Sequence, residues 1–221
     1  MAGVAVINVA VDTRTRILRA AEELFACHGI DGVSLREINR AAGQRNASAV
    51  QYHFGDRAGL LGALLARHRR DTDPRRHALL DAYEASAAPS IRALAEALVV
   101  PLSEKLDDAD GGREYLAIAC EFYTRAQSPE DLGATRDPQG SMQRWHRVVE
   151  AMLPVQERAL LPSRFPAVRL TLAELARRAR DRRRRDHRLF VSHLTDLVAA
   201  VLITPPSDET ARLLAERERR R

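Results

Sequence analysis

The sequence predicts an all-α protein, with a small helical head at the N-terminus and a larger helical bundle after it. Apolar residues recur three and four positions apart along most of the chain, which is the spacing of one apolar helix face. No stretch alternates apolar and polar residues over the length of a strand, and no hairpin dipeptide joins two such stretches. Short runs rich in glycine, proline or acidic residues separate the helical patterns, so the 221 residues divide into a series of helices.

The stretch Ser34–Phe54 predicts two short helices joined by a tight turn. Ser34 and Glu37 have the spacing of a capping box at the start of the first helix. Gly43 ends that helix, because a residue without a Cβ atom turns the chain at positive φ. Asn46 stands where it is expected to cap the second helix.

The second helix of this pair is expected to present polar side chains to the outside. Val50 and Phe54 lie four residues apart and point inward. The outward residues are then Ser48, Gln51, Tyr52 and His53. A short outward face of hydrogen-bonding groups, held on an apolar cluster, is what a DNA recognition helix requires. A corner between two helices of another helical domain has the same pattern, so the flanking segments decide between the two interpretations.

The flanking segments carry a family resemblance. An amphipathic helix precedes the pair and ends at Gly29, and a helix capped by Asp56 follows it. This order resembles the TetR family of transcriptional regulators over roughly residues 13–65. The matching pieces are Ile17–Phe25, Val33–Ile38, Ala41–Gly43 and Tyr52–Arg57.

The chain departs from the family pattern in two respects. Its turn between Gly43 and Val50 is one residue longer than usual, and Gln51 stands where many members carry a tyrosine. Both departures change which atoms meet the bases.

The resemblance implies three regions: a flexible arm (1–12), a DNA-binding head (13–72) and a helical bundle for dimerisation and ligand binding (73–221). It implies a homodimer on a palindromic operator in double-stranded DNA, with a small-molecule effector as a further partner. The expected base-reading residues are Arg45, Asn46, Ser48 and Gln51. Tyr52, His53 and Arg57, together with the capped end at Ser34, are expected to contact phosphates.

The helix that begins after Asp56 is predicted to end or kink at Asp73-Pro74, because proline suits a first turn better than a helix interior. Further helical patterns then cover about 74–86, 89–106, 113–127, 138–153, 162–184, 186–203 and 207–219.

The bundle contains one candidate pocket and one candidate dimer interface. Tyr115, Phe122 and Trp145 have the aromatic character of a ligand cavity, but the helical spacing of Tyr115 and Phe122 favours an ordinary core. An apolar stripe on the penultimate helix, with a second helix before it, matches the pair of helices through which the family dimerises. These interface residues are Leu172, Leu175, Phe190, Leu194, Leu197 and Val201.

The composition favours an anionic partner without naming it. The net charge is +5 and the sequence pI is about 9.8, and from residue 12 to residue 70 ten arginines stand against six acids. Lys105 is the only lysine, a bias that base composition of the genome also explains. The two cysteines, Cys27 and Cys120, are expected to be free buried thiols, in keeping with a reducing cytoplasm.

The sequence predicts no enzymatic activity, cofactor or metal site. It lacks the GxSxG elbow, the phosphate-binding glycine loop and the HExxH motif, and no His/Cys spacing suggests zinc. The opening eleven residues are too short to span a bilayer and read as a disordered arm or an over-extended start. Repression is the leading interpretation; an activator or ligand-independent regulator, a DNA-rearranging enzyme and a protein-binding helical adaptor remain alternatives.

Overall fold

The computed structural model describes residues 2–46, 48–125, 139–152, 160, 165–181 and 186–220. Within these ranges the chain forms α-helices and 3-10 structure, including the short 3-10 helix Glu104–Leu106, and none of these residues lies in a β-strand. The predicted all-α class is therefore confirmed. The helices are α1 (Ala2–His28), α2 (Leu35–Ala41), α3 (Ala49–Phe54), α4 (Arg57–Ala85), α5 (Ile91–Ser103), α6 (Gly112–Arg125), α7 (Ser141–Met152), α8 (Phe165–Arg180), α9 (Arg188–Ile203) and α10 (Asp208–Arg219).

The predicted bounds of the helices after α4 agree with these to within a few residues wherever the structure describes them. Parts of the predicted bounds near 126–138, 153–164 and 182–185 lie outside the described residues. The start of α4 follows the predicted cap, since Asp56 Oδ1 accepts the N–H of Gly59 at 2.8 Å.

The N-terminal residues differ from the expected arm, because α1 begins at Ala2 and continues without a break to His28. Alanine is a strong helix former, and no proline interrupts the segment, so the helix extends back from its packed part at Ile17. The flexibility of the arm in solution stays a prediction.

Of the end or kink predicted at Asp73-Pro74, the end is wrong, because α4 runs through Pro74 to Ala85. A proline inside a helix removes one backbone hydrogen bond and costs roughly 3 kcal/mol. Buried contacts on the following turn offset this cost. Arg76 is buried, and its guanidinium donates to the carbonyl of Ala97 at 3.0 Å and to Ser141 Oγ at 2.7 Å. These partners come from other helices, so local spacing does not indicate them.

The chain divides into two compact units, and the division falls inside α4 between Asp71 and Thr72. The first unit contains α1 to α3, the first part of α4, the 3-10 helix, α6 and the last turns of α8. The second contains the rest of α4, α5, α7, the first part of α8, α9 and α10. The first unit therefore also holds α6, which the sequence analysis assigned to the bundle. The functional domains 13–72 and 73–221 stay a prediction.

The first unit has an apolar core with one buried charged cluster. The buried apolar side chains include Ile17, Phe25, Ile38, Val50, Leu60 and Leu64. Glu22, only 3% exposed, holds His68 Nε2 at 2.5 Å and Arg67 Nη1 at 3.0 Å. The His68 ring stacks on Tyr115 of α6, with 4.4 Å between ring centroids. A buried carboxylate needs such partners because it has lost its hydration.

The second unit is built around the packing of α5 on α9. Leu98 and Val198 are fully buried there, and Arg92 pairs with Asp196 at the exposed margin. Trp145 of α7 is also buried and donates its indole N–H to the carbonyl of Leu94 at 2.9 Å.

No single helix of the described ranges is long and apolar enough to cross a membrane. Arg188–Ile203 and Asp208–Arg217, which meet at a bend of 48°, reach the length and apolar composition of a membrane span only when they are taken together.

Replacing Gly111 with alanine should destabilise the protein more than the same change at Gly43. Both glycines have positive φ, at +85° and +66°, which costs alanine about 1 kcal/mol in each case. A Cβ atom at Gly111 would also lie 2.1 Å from Glu22 Oε2, whereas no described atom lies within 4 Å of one at Gly43. Urea unfolding of the two variants should therefore differ by roughly 1–3 kcal/mol. Equal losses in the free energy of unfolding would show that contact between a Cβ atom at position 111 and Glu22 does not destabilise the protein.

Candidate nucleic-acid interface

The start of α2 forms the predicted capping box. Ser34 Oγ accepts the N–H of Glu37 at 3.2 Å, and Glu37 Oε2 accepts the N–H of Ser34 at 2.7 Å. The hydrogen bond from the Ser34 backbone, followed by that from its side chain, lowers the pKa of Glu37 below its ordinary value of 4.5. Both hydrogen bonds of the capping box are therefore formed, and the side chains of Ser34 and Glu37 lie on the surface.

The turn before α3 is held by Asn46, although not as the predicted cap. Its Oδ1 accepts both the N–H of Ser48 at 2.9 Å and the Ser48 hydroxyl at 2.7 Å. Its backbone carbonyl accepts the N–H of Ala49 at 3.2 Å. The N-cap residue of α3 is Ser48 and not Asn46, so the helix begins two residues later than predicted. The side chain of Ser48 makes no capping hydrogen bond to α3.

The two faces of α3 agree with the predicted pattern. Val50 is fully buried, and Ser48 and Gln51 are exposed. Tyr52 is the most exposed of the set at 84%, and its ring meets His53 edge-on at 5.0 Å. Ser48, Gln51 and Tyr52 are therefore exposed as predicted, whereas His53 is half-buried.

The C-terminal end of α3 packs against the first helix. Phe54 is half-buried, and the Arg14 guanidinium carbon lies 5.0 Å from its ring centroid. This cation–π contact stabilises the end of a helix that is only six residues long.

A groove of about 420 Å³ runs between α2 and α3. Its walls combine the capped end of α2 with the polar side of α3, and they are formed by Ser34, Leu35, Arg36, Asn39, Ser48, Val50 and Gln51. Arg36 is exposed on this surface, and the sequence analysis did not single it out. Its exposed place in the first turn of α2 suits a cation that meets a phosphate.

Arg57 has a partner inside the protein. Its Nη1 donates to the carbonyl of Ile30 at 2.5 Å, and its guanidinium carbon lies 6.0 Å from the Phe25 ring centroid. The same residue is bound from α6, because the N–H of Ile30 donates to both Glu121 carboxylate oxygens at 3.1 Å. Sequence spacing could not show this contact, since Glu121 lies 91 residues after Ile30.

The aromatic residues of the expected pocket are found mainly in cores. Tyr115 is buried in the first unit and Trp145 in the second, while Phe122 is half-buried on α6. The core interpretation therefore holds for Tyr115 and Trp145. Contact of any of the three with an effector stays a prediction.

The expected dimer residues separate into two groups. Leu172, Leu175 and Leu194 are buried within a single chain, so their assignment to a dimer surface needs correction. They fill the protomer's own core because their helix faces pack inward. Phe190 and Val201 are half-buried and Leu197 is 42% exposed, so these three offer an apolar surface on α9.

The described residues contain no group of three or more His, Cys, Asp or Glu side chains that could hold a metal ion. The two cysteines are free; Cys27 is exposed rather than buried as expected, and Cys120 is half-buried.

A capped helix, a tight turn and a short helix with an exposed polar face define a helix–turn–helix protein. Residues 17–64 match the model of the family described as bacterial regulatory proteins, tetR family. The head of the chain is therefore a DNA-binding domain of the TetR type. Regulators of this family are non-enzymatic DNA-binding proteins.

Individual relatives agree with this assignment. The HTH-type transcriptional repressor AcnR of Corynebacterium efficiens is 39% identical over 54 residues, which are 24% of this chain and 28% of that protein. NalD, the secondary repressor of the MexAB-OprM multidrug efflux pump in Pseudomonas aeruginosa, is 25% identical with a TM-score of 0.57. That likeness covers 86% of this chain and 96% of NalD. PfmR from Thermus thermophilus shares the fold over 87% of this chain and 96% of its own, with 19% identity and a TM-score of 0.51.

The capping box makes a pH-dependent contribution that Glu37→Gln should remove. Because the folded-state pKa of Glu37 is lowered, its stabilisation is present above about pH 4.5 and is lost as the pH falls through the folded-state value. Glutamine keeps the reciprocal hydrogen bonds but does not titrate in this range. The wild type should therefore lose more stability than Glu37→Gln as the pH falls from above 4.5 through the folded-state pKa, measured by urea unfolding. The same change at the exposed Glu23 of α1 is the control, and parallel curves for wild type and Glu37→Gln would contradict the assignment.

Proposed function

We propose that this protein is a homodimeric transcriptional repressor that binds a palindromic operator and is released by a small-molecule effector. The observation that carries the proposal is the exposed polar face of α3, fixed between a capped α2 and the cation–π contact at Phe54. The printed names of AcnR and NalD, both repressors, support the sign of regulation. A cytoplasmic location follows from this function.

Base reading is assigned to the start and the exposed face of α3. Gln51 offers an amide that can pair with adenine through two hydrogen bonds, and Ser48 and Arg45 are exposed beside it. Asn46 retains its amide N–H₂ group for DNA, since its Oδ1 is used in the turn. Tyr52, His53 and Arg36 would contact phosphates at the margins, together with the capped end at Ser34. Arg57 would add a phosphate contact with the donors that it does not give to Ile30.

Dimerisation is assigned to the outer face of α9. Its apolar surface is formed by Phe190, Leu197 and Val201, with the exposed Leu189 and Ile203 near the two ends of the helix. A twofold axis through such a face gives two identical reading heads, as a palindromic operator requires.

Release by an effector requires a route from the effector site to the recognition helix. The Glu121 carboxylate on α6 binds the Ile30 peptide of the head, and Arg125 pairs with Asp31 beside it. A ligand that shifts α6 would therefore displace the segment between α1 and α2. Its binding energy must differ between the DNA-bound and free conformations for release to follow. Promoter fusions measured with and without the gene distinguish repression from activation.

Selection of duplexes from a random DNA pool by the purified protein tests the proposal directly. A palindromic consensus is the expected result, because each head reads one half-site. Binding should also weaken steeply with salt, since several cations displace counterions from the phosphates. A protein that selects no sequence and shows no salt dependence would refute DNA binding as its main activity.

Replacing Gln51 with alanine should relax the base preference at one position of each half-site. We expect a loss of about 1–3 kcal/mol on the selected operator and little loss on a duplex changed at that position. Tyr52→Phe is the matched control, because it removes one hydroxyl group that is assigned to phosphate and should weaken all sequences alike. A panel of single-base operator variants separates the two patterns. Uniform weakening by Gln51→Ala would show that Gln51 does not read a base.

Replacing Leu197 with arginine should separate the dimer while leaving the fold intact. The side chain is already 42% exposed in one chain, so a single protomer can place the arginine in water. At a dimer interface the same charge would be buried without a partner, at a cost of several kcal/mol. Sedimentation should show a monomer for Leu197→Arg and a dimer for Leu197→Met, which keeps the apolar contact. A dimeric Leu197→Arg protein with normal stability would put the interface elsewhere.

A further inference from the structure

We propose that Asn39 is a positioning residue for DNA recognition: its side chain on α2 sets the register of α3 and thereby the base preference of the head. The proposal rests on the proposed function, because it concerns how α3 meets DNA. Asn39 is only 3% exposed, so it acts through α3 and not by touching a base itself.

The central contact is a buried hydrogen bond between the two helices. Asn39 Oδ1 accepts the N–H of Val50 at 3.1 Å. This N–H belongs to the second residue of α3, one of the donors that a helix start leaves without a partner in its own helix. The side chain at the N-cap position usually accepts such a donor, but Ser48 does not do so here. Asn39 thus caps α3 from a helix eleven residues earlier.

The backbone of Asn39 also holds the turn between the two helices. Its carbonyl accepts the N–H of Gln44 at 2.9 Å, and the Gln44 side chain donates to the carbonyl of Ala42 at 3.0 Å. One residue therefore anchors the beginning of the turn and the helix to which the turn leads.

The register matters because α3 is short and its two faces are chemically different. Successive residues of a helix are turned by about 100° around its axis. The bond to Asn39 ties the backbone of Val50 to α2, and the Val50 side chain is buried whereas Gln51 is exposed. A helix of six residues cannot hold this orientation by its own hydrogen bonds.

Hydrogen exchange in the full-length protein tests the contact without DNA. Asn39→Leu removes the acceptor at similar volume, whereas Asn39→Asp keeps an oxygen near a helix N-terminus, where negative charge is favourable. The Val50 amide should exchange about tenfold faster in Asn39→Leu than in the wild type and remain protected in Asn39→Asp. If Asn39→Leu does not fold, Asn39→Ala takes its place in every comparison. Unchanged protection of Val50 in the variant without the acceptor would overturn the proposal.

Binding measurements then separate positioning from a general loss of structure. Asn39→Leu should lower the preference for the selected operator over single-base variants by about tenfold, with unchanged affinity for unrelated duplex and unchanged salt dependence. Asn39→Asp should restore the preference. The loss of operator affinity caused by Gln51→Ala should also be smaller in the Asn39→Leu background, because a displaced Gln51 contributes less to binding before it is replaced.

The opposite results would overturn the proposal. An equal penalty of Gln51→Ala in both backgrounds would show that Asn39 does not act through α3, and equal behaviour of Asn39→Leu and Asn39→Asp would show that the acceptor is irrelevant. Failure of the proposed function is distinguishable, because the wild-type protein itself would then prefer no sequence while the exchange of the Val50 amide still reports on the contact.

Discussion

A six-residue helix has no stable geometry of its own in water, and the rest of the DNA-binding head follows from that constraint. Each end of α3 is held by a residue from another helix: Asn39 of α2 at the N-terminal end and Arg14 of α1 at the C-terminal end. Between them, the Val50 side chain joins the apolar core. The orientation of α3 therefore depends on the helices that support it, and in the proposed function this orientation decides which side chains face the bases.

The head is also held by contacts with α6, which lies some ninety residues further along the chain. Glu121 of α6 binds the peptide of Ile30, and the buried Glu22–His68 pair lies against Tyr115 of the same helix. Arg67 and Asp110 extend this charged cluster towards the loop before α6. Since each buried charge depends on its partners, a displacement of α6 has an energetic consequence in the head. In the proposed function, this dependence is the physical basis for regulation of the head by an effector.

Local features were predictable wherever one helix end or one helix face carries the information. The capping box at Ser34 and the opposite faces of Val50 and Gln51 follow from spacing alone. Local spacing did not show that α4 continues past Pro74, because it does not record the contacts of the buried Arg76 with other helices. It also could not separate buried from exposed apolar residues on α9: Leu194 and Leu197 carry the same apolar signal, but the first is buried where α9 packs on α5 and the second is 42% exposed.

By itself, the sequence determined the helical class, the order of the head helices, the capping box of α2 and the polar composition of α3, because these depend on residues within one or two turns of each other. The tertiary structure decided which cap α3 uses, where Arg57 donates, and that α6 belongs to the unit of the head. These contacts join residues from 11 to 91 positions apart in the chain. Hydrogen bonds and buried charges over such separations depend on how helices pack, and no periodic pattern along the chain records that packing.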